Sequence, residues 1–211
     1  MIFKGKEYTA IQVINKAQED EDEWKNRKEP TPRKDTMIRT SIQRGRWRPP
    51  PMGWVKCNTD GAWAADMQRC GVGWVLRNHD EKVLWLGLRA LPRVSTVLEA
   101  ELEALRWAAL SLSRFNYKKI IFETDSQHLV SLVDDDSDCP SLKPQLQDLR
   151  QLLQLFQEAK VVFTRREGNC VADRIARESL SLLNYVPKLY SILPSWVKDQ
   201  VYSDSVVSRI G

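Results

Sequence analysis

Residues 97–114 read VLEAELEALRWAALSLSR, and the phase of this stretch decides what the rest of the chain means. Apolar residues recur at helical spacing. Glu99, Glu103 and Arg106 share one face at i, i+4 and i+7, the ordinary pattern of a solvated helix surface. Glu101 is out of phase with them. Stepping from it by four, three and four residues reaches Leu105, Ala108 and Leu112, which form the apolar stripe. A carboxylate at the head of a core-facing stripe costs desolvation free energy unless positive charge meets it there. A buried arginine partner and a bound metal ion would each supply that charge, and the helix alone leaves both open.

Before the helix come three short runs rich in aromatic and β-branched residues: WVKCNTDGAW (54–63), CGVGWVLRN (70–78) and KVLWLGLRA (82–90). ADMQR and HDE separate them, which predicts an antiparallel meander. After the helix, KIIFETD (119–125) reads as a strand, followed by a short helix beyond Ser126 and a polar DDDSDCPS loop. A helix over 142–157, a strand KVVFTR (160–165) and a helix over about 169–183 complete the pattern. The order βββαβααβα predicts an α/β fold: a five-stranded mixed sheet, three antiparallel strands then two parallel ones, flanked by helices. Trp74, Trp85 and Trp107 fit core positions. The domain then spans 53–183. Residues 1–52 are an N-terminal extension, with a short strand and helix in 1–24 and a proline-rich linker over 26–52. Residues 184–211, with Pro187 and Pro194, are a C-terminal extension.

Composition bounds the function. A chain of 211 residues, 42% apolar, holds one domain with a real core plus tails. No stretch approaches the roughly 20 apolar residues of a membrane span, so no membrane partner is expected. The N-terminus has no secretory apolar region. Four cysteines (Cys57, Cys70, Cys139, Cys170) form no C-x-x-C pair and only two histidines are present, which argues against a zinc site and structural disulfides. The expected setting is intracellular and reducing, nucleus or cytoplasm. The net charge of +4 resides wholly in residues 1–50, which hold 12 basic and 8 acidic side chains; residues 51–211 balance. Within that segment, residues 25–48 form a basic arm. It suits either a polyanionic partner or a solubilising linker.

Three further acids occupy positions comparable to Glu101. Asp60 lies at the end of a strand before Gly61, Asp125 at a strand-to-helix junction, and Asp173 in the first turn of the last helix. Each has a plain alternative: helix capping for Asp125, the helix dipole for Asp173. Together, four carboxylates without His or Cys favour hard cations such as Mg²⁺ or Mn²⁺. Two such ions can activate water and stabilise the leaving oxygen of a phosphodiester.

KCNTDGAW, AELEALRWA, FETDSQ and REGNCVADRIA, in this order and at these intervals, resemble the ribonuclease H type 1 domain. They resemble more narrowly the plant version found in non-LTR retrotransposons and their solitary derivatives. The likeness covers residues 54–183. It implies an RNase H-like fold and a monomer that hydrolyses the RNA strand of RNA–DNA hybrids, with Asp60, Glu101, Asp125 and Asp173 as catalytic residues binding two Mg²⁺ or Mn²⁺ ions. A domesticated nucleic-acid-binding module with weak or no catalysis is the alternative. The chain departs from bacterial relatives: the loop TRREGN lacks their histidine, His79 and His128 lie elsewhere, and the basic protrusion is absent. That leaves the proton-transfer role unassigned, with Arg166 and Glu167 as candidates. Asn58, Gln127 and Asn169 stand close to catalytic acids and are candidates, with Arg166, for contacts to the substrate; 2′-hydroxyl recognition is the chemistry that separates RNA from DNA. Local capping by the amides is the competing use.

Overall fold

Each aromatic and β-branched run becomes a strand in the computed structural model, which describes residues 47–63, 68–134 and 139–208, within the unit Ile42–Gly211. The expected strand and helix in residues 1–24, and the basic arm up to residue 46, lie outside the described residues. Strands β1 (Val55–Ala62), β2 (Arg69–Arg77) and β3 (Val83–Pro92) form the antiparallel meander. Strand β4 (Lys119–Thr124) pairs parallel with β1, and β5 (Glu158–Phe163) parallel with β4. Helices α1 (Val97–Leu112), α2 (Gln127–Asp134), α3 (Lys143–Leu153), α4 (Cys170–Ser179) and α5 (Ser195–Ser208) complete the fold. The predicted α/β architecture is thus present.

The sheet has six strands rather than the expected five, in the order β5-β4-β1-β2-β3-β6. The sixth, β6 (Lys188–Tyr190), comes from the segment read as an extension and pairs antiparallel with Leu86–Leu88 of β3. Three residues between two prolines carry too little periodicity to announce a strand. The physical reason for it lies in β3, whose free backbone edge would otherwise stand open. Two boundaries also move. Helix α3 ends at Leu153, so β5 starts at Glu158. The last predicted helix is preceded by a 3₁₀ turn, Arg166–Gly168, and α4 ends at Ser179.

Alternation along the strands distributes two cores. Val72, Trp74 and Leu76 of β2 face α1, α2 and α3 with Leu105, Leu112 and Leu129. Trp74 and Trp107 meet there with ring centroids 5.9 Å apart, a separation at which tilted aromatic pairs attract. The opposite face packs Val75, Leu86 and Leu88 against Ile175 of α4 and Val197 and Val201 of α5. The C-terminal segment therefore belongs to a core. So does Trp47, expected in the linker: it is buried, and the Arg77 guanidinium stacks over its ring at 3.5 Å.

Helix α4 reaches the sheet because β2 offers no side chain where they touch. A Cβ on Gly73 would lie 2.4 Å from the Ala176 amide nitrogen. On the other face, a Cβ on Gly61 would lie 2.6 Å from the Ala100 carbonyl carbon, which sets how closely α1 approaches β1. Gly73→Ala is expected to push α4 outward and cost about 1–3 kcal/mol, the usual range for overpacking. Urea unfolding would show this as a lower midpoint at unchanged slope.

Candidate active site

Two parallel strands end side by side, and each delivers an aspartate to the same edge of the sheet. Asp60 sits near the C-terminal end of β1 and Asp125 follows the last residue of β4. Crevices beyond the carboxyl ends of strands are where open α/β sheets place their ligands. Helix α1 adds Glu101 from above. Thr96 caps that helix, accepting from the Glu99 amide at 3.1 Å, while the Glu99 carboxylate accepts from the Ser95 amide at 2.7 Å. This fixes the helical phase and turns Glu101 inward, where it is 6% exposed.

Carboxylate oxygens of Asp60, Glu101 and Asp125 all lie within 4.8 Å of one another. The Glu101 Oε2 atom is buried and has no hydrogen-bond partner. Burial pushes the Glu101 carboxyl up to about 9, helped by the Asp60 and Asp125 charges and opposed by hydrogen bonds to the Gly61 backbone and the Thr124 hydroxyl. Asp60 is pushed up to about 7, first by burial and then by Asp125 and Asp173; Arg166 and the Asn169 amide pull it back. Burial also raises Asp125. No arginine pairs with Glu101 among the described residues, so of the two openings left by helical phase the buried pair is absent. Three converging carboxyl groups, with a buried Glu101 oxygen that has no hydrogen-bond partner, form an oxygen-only donor set that fits a hard divalent cation.

Asp173 stands apart from this group of three. It lines the same cleft, but its carboxylate pairs with Arg177 at 2.9 Å and lies 4.0 Å from Arg166. The cleft encloses about 660 Å³ and is lined by all four acids together with Trp63, His128, Arg166 and Arg177. His128 and Arg177 were not among the residues singled out from the sequence. Arg177 is one helical turn beyond Asp173, and His128 lies in the first turn of the helix that follows Asp125. The helical spacing that located Glu101 could have found Arg177, and His128 could have been found from the strand-to-helix junction at Asp125.

The substrate contacts expected of the asparagines are not what the structure offers. Asn58 is wholly buried, and its amide nitrogen donates to Glu123 Oε2 at 2.9 Å. Asn169 is 1% exposed; its nitrogen donates to the Thr59 carbonyl at 3.0 Å and to Asp60 Oδ1 at 3.1 Å. Strand alternation explains Asn58: Lys56, Asn58 and Asp60 share a face, and only the last reaches the open edge. Gln127 and Arg166, by contrast, are exposed, Gln127 between the cleft-lining Ser126 and His128.

Among the described residues, no helix is long and apolar enough to cross a membrane. Residues 58–179 match the model of a family described as reverse transcriptase-like. No curated protein matches the chain. Among solved structures, RNase H1 from the halophilic archaeon Halobacterium salinarum is 29% identical, with a TM-score of 0.56 over 61% of this chain and 98% of that one. The N-terminal RNase H domain of a Mycobacterium tuberculosis protein, fused to maltose binding protein, is 22% identical, with a TM-score of 0.55 over 60% and 93%. LC11-RNase H1, in complex with an RNA/DNA hybrid, is 21% identical, with a TM-score of 0.54 over 59% and 95%. The last two share the fold. With more than half its length matched, the chain belongs to the reverse transcriptase-like family and carries an RNase H-like fold.

Proposed function

We propose that the protein is a metal-dependent endonuclease that hydrolyses the RNA strand of RNA–DNA hybrids, with Asp60, Glu101, Asp125 and Asp173 as its catalytic residues. The observation that carries this reading is the group of three carboxylates within 4.8 Å of one another, with a buried Glu101 oxygen left without a partner. The hybrid bound to LC11-RNase H1, a protein of the same fold, supports the substrate class. The quoted motifs favour a plant, non-LTR-retrotransposon-derived origin.

Two divalent ions, Mg²⁺ or Mn²⁺, would supply an activated water and charge stabilisation at the leaving oxygen. The chain's own groups do the rest. Asp60, Glu101 and Asp125 hold their oxygens convergent on the sheet edge. Arg166 and Arg177 present guanidinium groups on the cleft wall, where phosphate oxygens would arrive. Gln127 and Arg166 are the exposed residues assigned to contact with the hybrid. His128, also on that wall, carries the proton taken up by the leaving 3′-oxygen, at an imidazole nitrogen.

Asp125→Asn removes a charge that acts at the transition state. An interaction of several kcal/mol lost there corresponds to a fall of about a hundredfold or more, read as cleavage of labelled hybrid in Mg²⁺. Cleavage that survives the substitution overturns the catalytic assignment, and hybrid binding without cleavage by the unsubstituted protein favours the domesticated binding module. His128→Ala is expected to lower kcat, with Mn²⁺ affinity unchanged.

The raised carboxyl groups set a pH dependence in chelator. Glu101 and Asp60 bind protons more tightly folded than unfolded, so their contribution is full below about pH 4, the ordinary carboxylate range. It falls as pH rises through about 7 for Asp60 and about 9 for Glu101. Thermal melting in chelator is expected to decline over that window. At about pH 9, Glu101→Gln should melt above the unsubstituted protein by at least about 2–4 °C, the shift worth about 1 kcal/mol in a chain this size. Mn²⁺ should reverse the order. A variant that melts below the parent in chelator would show that the Glu101 charge is not unfavourable in the metal-free fold.

A further inference from the structure

The acid cluster is backed by a buried polar chain that leads away from the cleft to the C-terminal helix. Asp204 of α5 accepts from Arg77 Nη1 at 2.7 Å. Arg77 Nη2 donates to Asn58 Oδ1 at 2.9 Å. The nitrogen of Asn58 faces Asn169 Oδ1 at 3.3 Å as well as Glu123, and the nitrogen of Asn169 donates to Asp60 Oδ1. Arg77 is 1% exposed, Asp204 8%, and the Trp47 ring covers the guanidinium.

The direction of this chain is determined at its far end. A guanidinium only donates. Asn58 must therefore turn its oxygen to Arg77 and its nitrogen the other way. Asn169 must then turn its oxygen to Asn58, which leaves its nitrogen for Asp60. With Asn58 reversed, two sets of donors would face each other in a buried site, an arrangement costing on the order of a hydrogen bond's desolvation penalty for each orphaned group. Glu123 is held by Lys56 at 2.7 Å and, accepting from Asn58, enforces the same orientation. One oxygen of Asp60 is thus engaged by a donor on the protein side, which fixes the direction in which the carboxyl group is turned.

We propose that Arg77 is a positioning residue for Asp60, and that Asp204 on the C-terminal helix and Trp47 near the start of the domain hold it in place. The C-terminal segment is then part of the active-site scaffold. The proposal rests on Asp60 being a metal ligand. Outer partners of ligating groups orient them, and their loss commonly costs 10–100-fold in metal affinity or activity.

The test uses the full chain. Asp204→Asn keeps the shape of the side chain and removes the charge that holds Arg77. It is expected to weaken Mn²⁺ binding, measured calorimetrically, by about tenfold. It should lower kcat on hybrid with little change in KM, and shift the Asn169 side-chain amide resonances recorded in chelator. Asp204→Glu should recover most of each. Asn169 does not touch Asp204, yet combining Asp204→Asn with Asn169→Ala should cost no more Mn²⁺ affinity than Asn169→Ala alone, because both interrupt one chain. The proposal is overturned if Asp204→Asn lowers only the melting midpoint and leaves Mn²⁺ affinity and the Asn169 resonances unchanged, or if the two losses add. Should Asp204→Asn fail to fold, Arg77→Lys, which retains the buried charge without the fork, is read by the same criteria. If the unsubstituted protein binds no Mn²⁺, the nuclease reading falls, while the Asn169 resonances still decide whether the chain orients that amide.

Discussion

Three carboxylates held within 4.8 Å of one another repel, and two of them are almost fully buried. Such a cluster works against the fold in the absence of cations: burial raises all three groups, and like charge adds to it, from Asp60 and Asp125 at Glu101, from Asp125 and Asp173 at Asp60, and from Asp173 at Asp125. Everything around the cluster can be understood as what it takes to keep the groups there. The acids come from separate elements, so no local conformational change relieves the repulsion; only moving a strand or a helix would.

The sheet resists such movement by close backbone approach. Gly61 lets α1 sit against the end of β1, and Gly73 lets α4 sit against β2, where side chains would hold both helices off. Asp60 and Gly73 are cross-strand partners in the β1–β2 register. The position that supplies an acid of the cluster and the position that admits the opposing helix are thus paired across the ladder. A one-residue slip would turn Asp60 to the other face and place bulk against α4.

The acidic face was legible in the chain because helical and strand periods report orientation. The phase of Glu101, at the head of Leu105, Ala108 and Leu112, pointed inward, and the structure buries it at that end. Asp60, Asp125 and Asp173 also reach the cleft. What the chain did not disclose depended on long-range pairing. Asn58 was assigned to substrate because it is near Asp60 in sequence; its true neighbours Glu123, Asn169 and Arg77 lie 65, 111 and 19 residues away. Strand β6 is not legible in the chain because its three residues carry no periodicity and its backbone partner is the distant edge of β3. Trp47 and Asp204 likewise lie in segments of linker-like composition, and both meet Arg77, a residue distant from each in the chain.

The charges behind the cleft are of the opposite character to those within it. Lys56 pairs with Glu123 and Arg77 with Asp204, two cations against two anions, all largely buried. Buried pairs of this kind add little net stability compared with apolar residues of the same volume, although removing one partner is costly. Their value here is directional. An apolar layer beneath Asp60 would pack as well but would let the carboxyl group choose its own rotamer. A guanidinium anchored on α5 instead imposes one orientation on two amides in turn, and the last of them donates to the carboxylate whose charge the site most needs to retain. Repulsion within the cleft and pairing behind it are therefore parts of one arrangement, in which the C-terminal helix, far from the acids in the chain, bears on how the first of them is held.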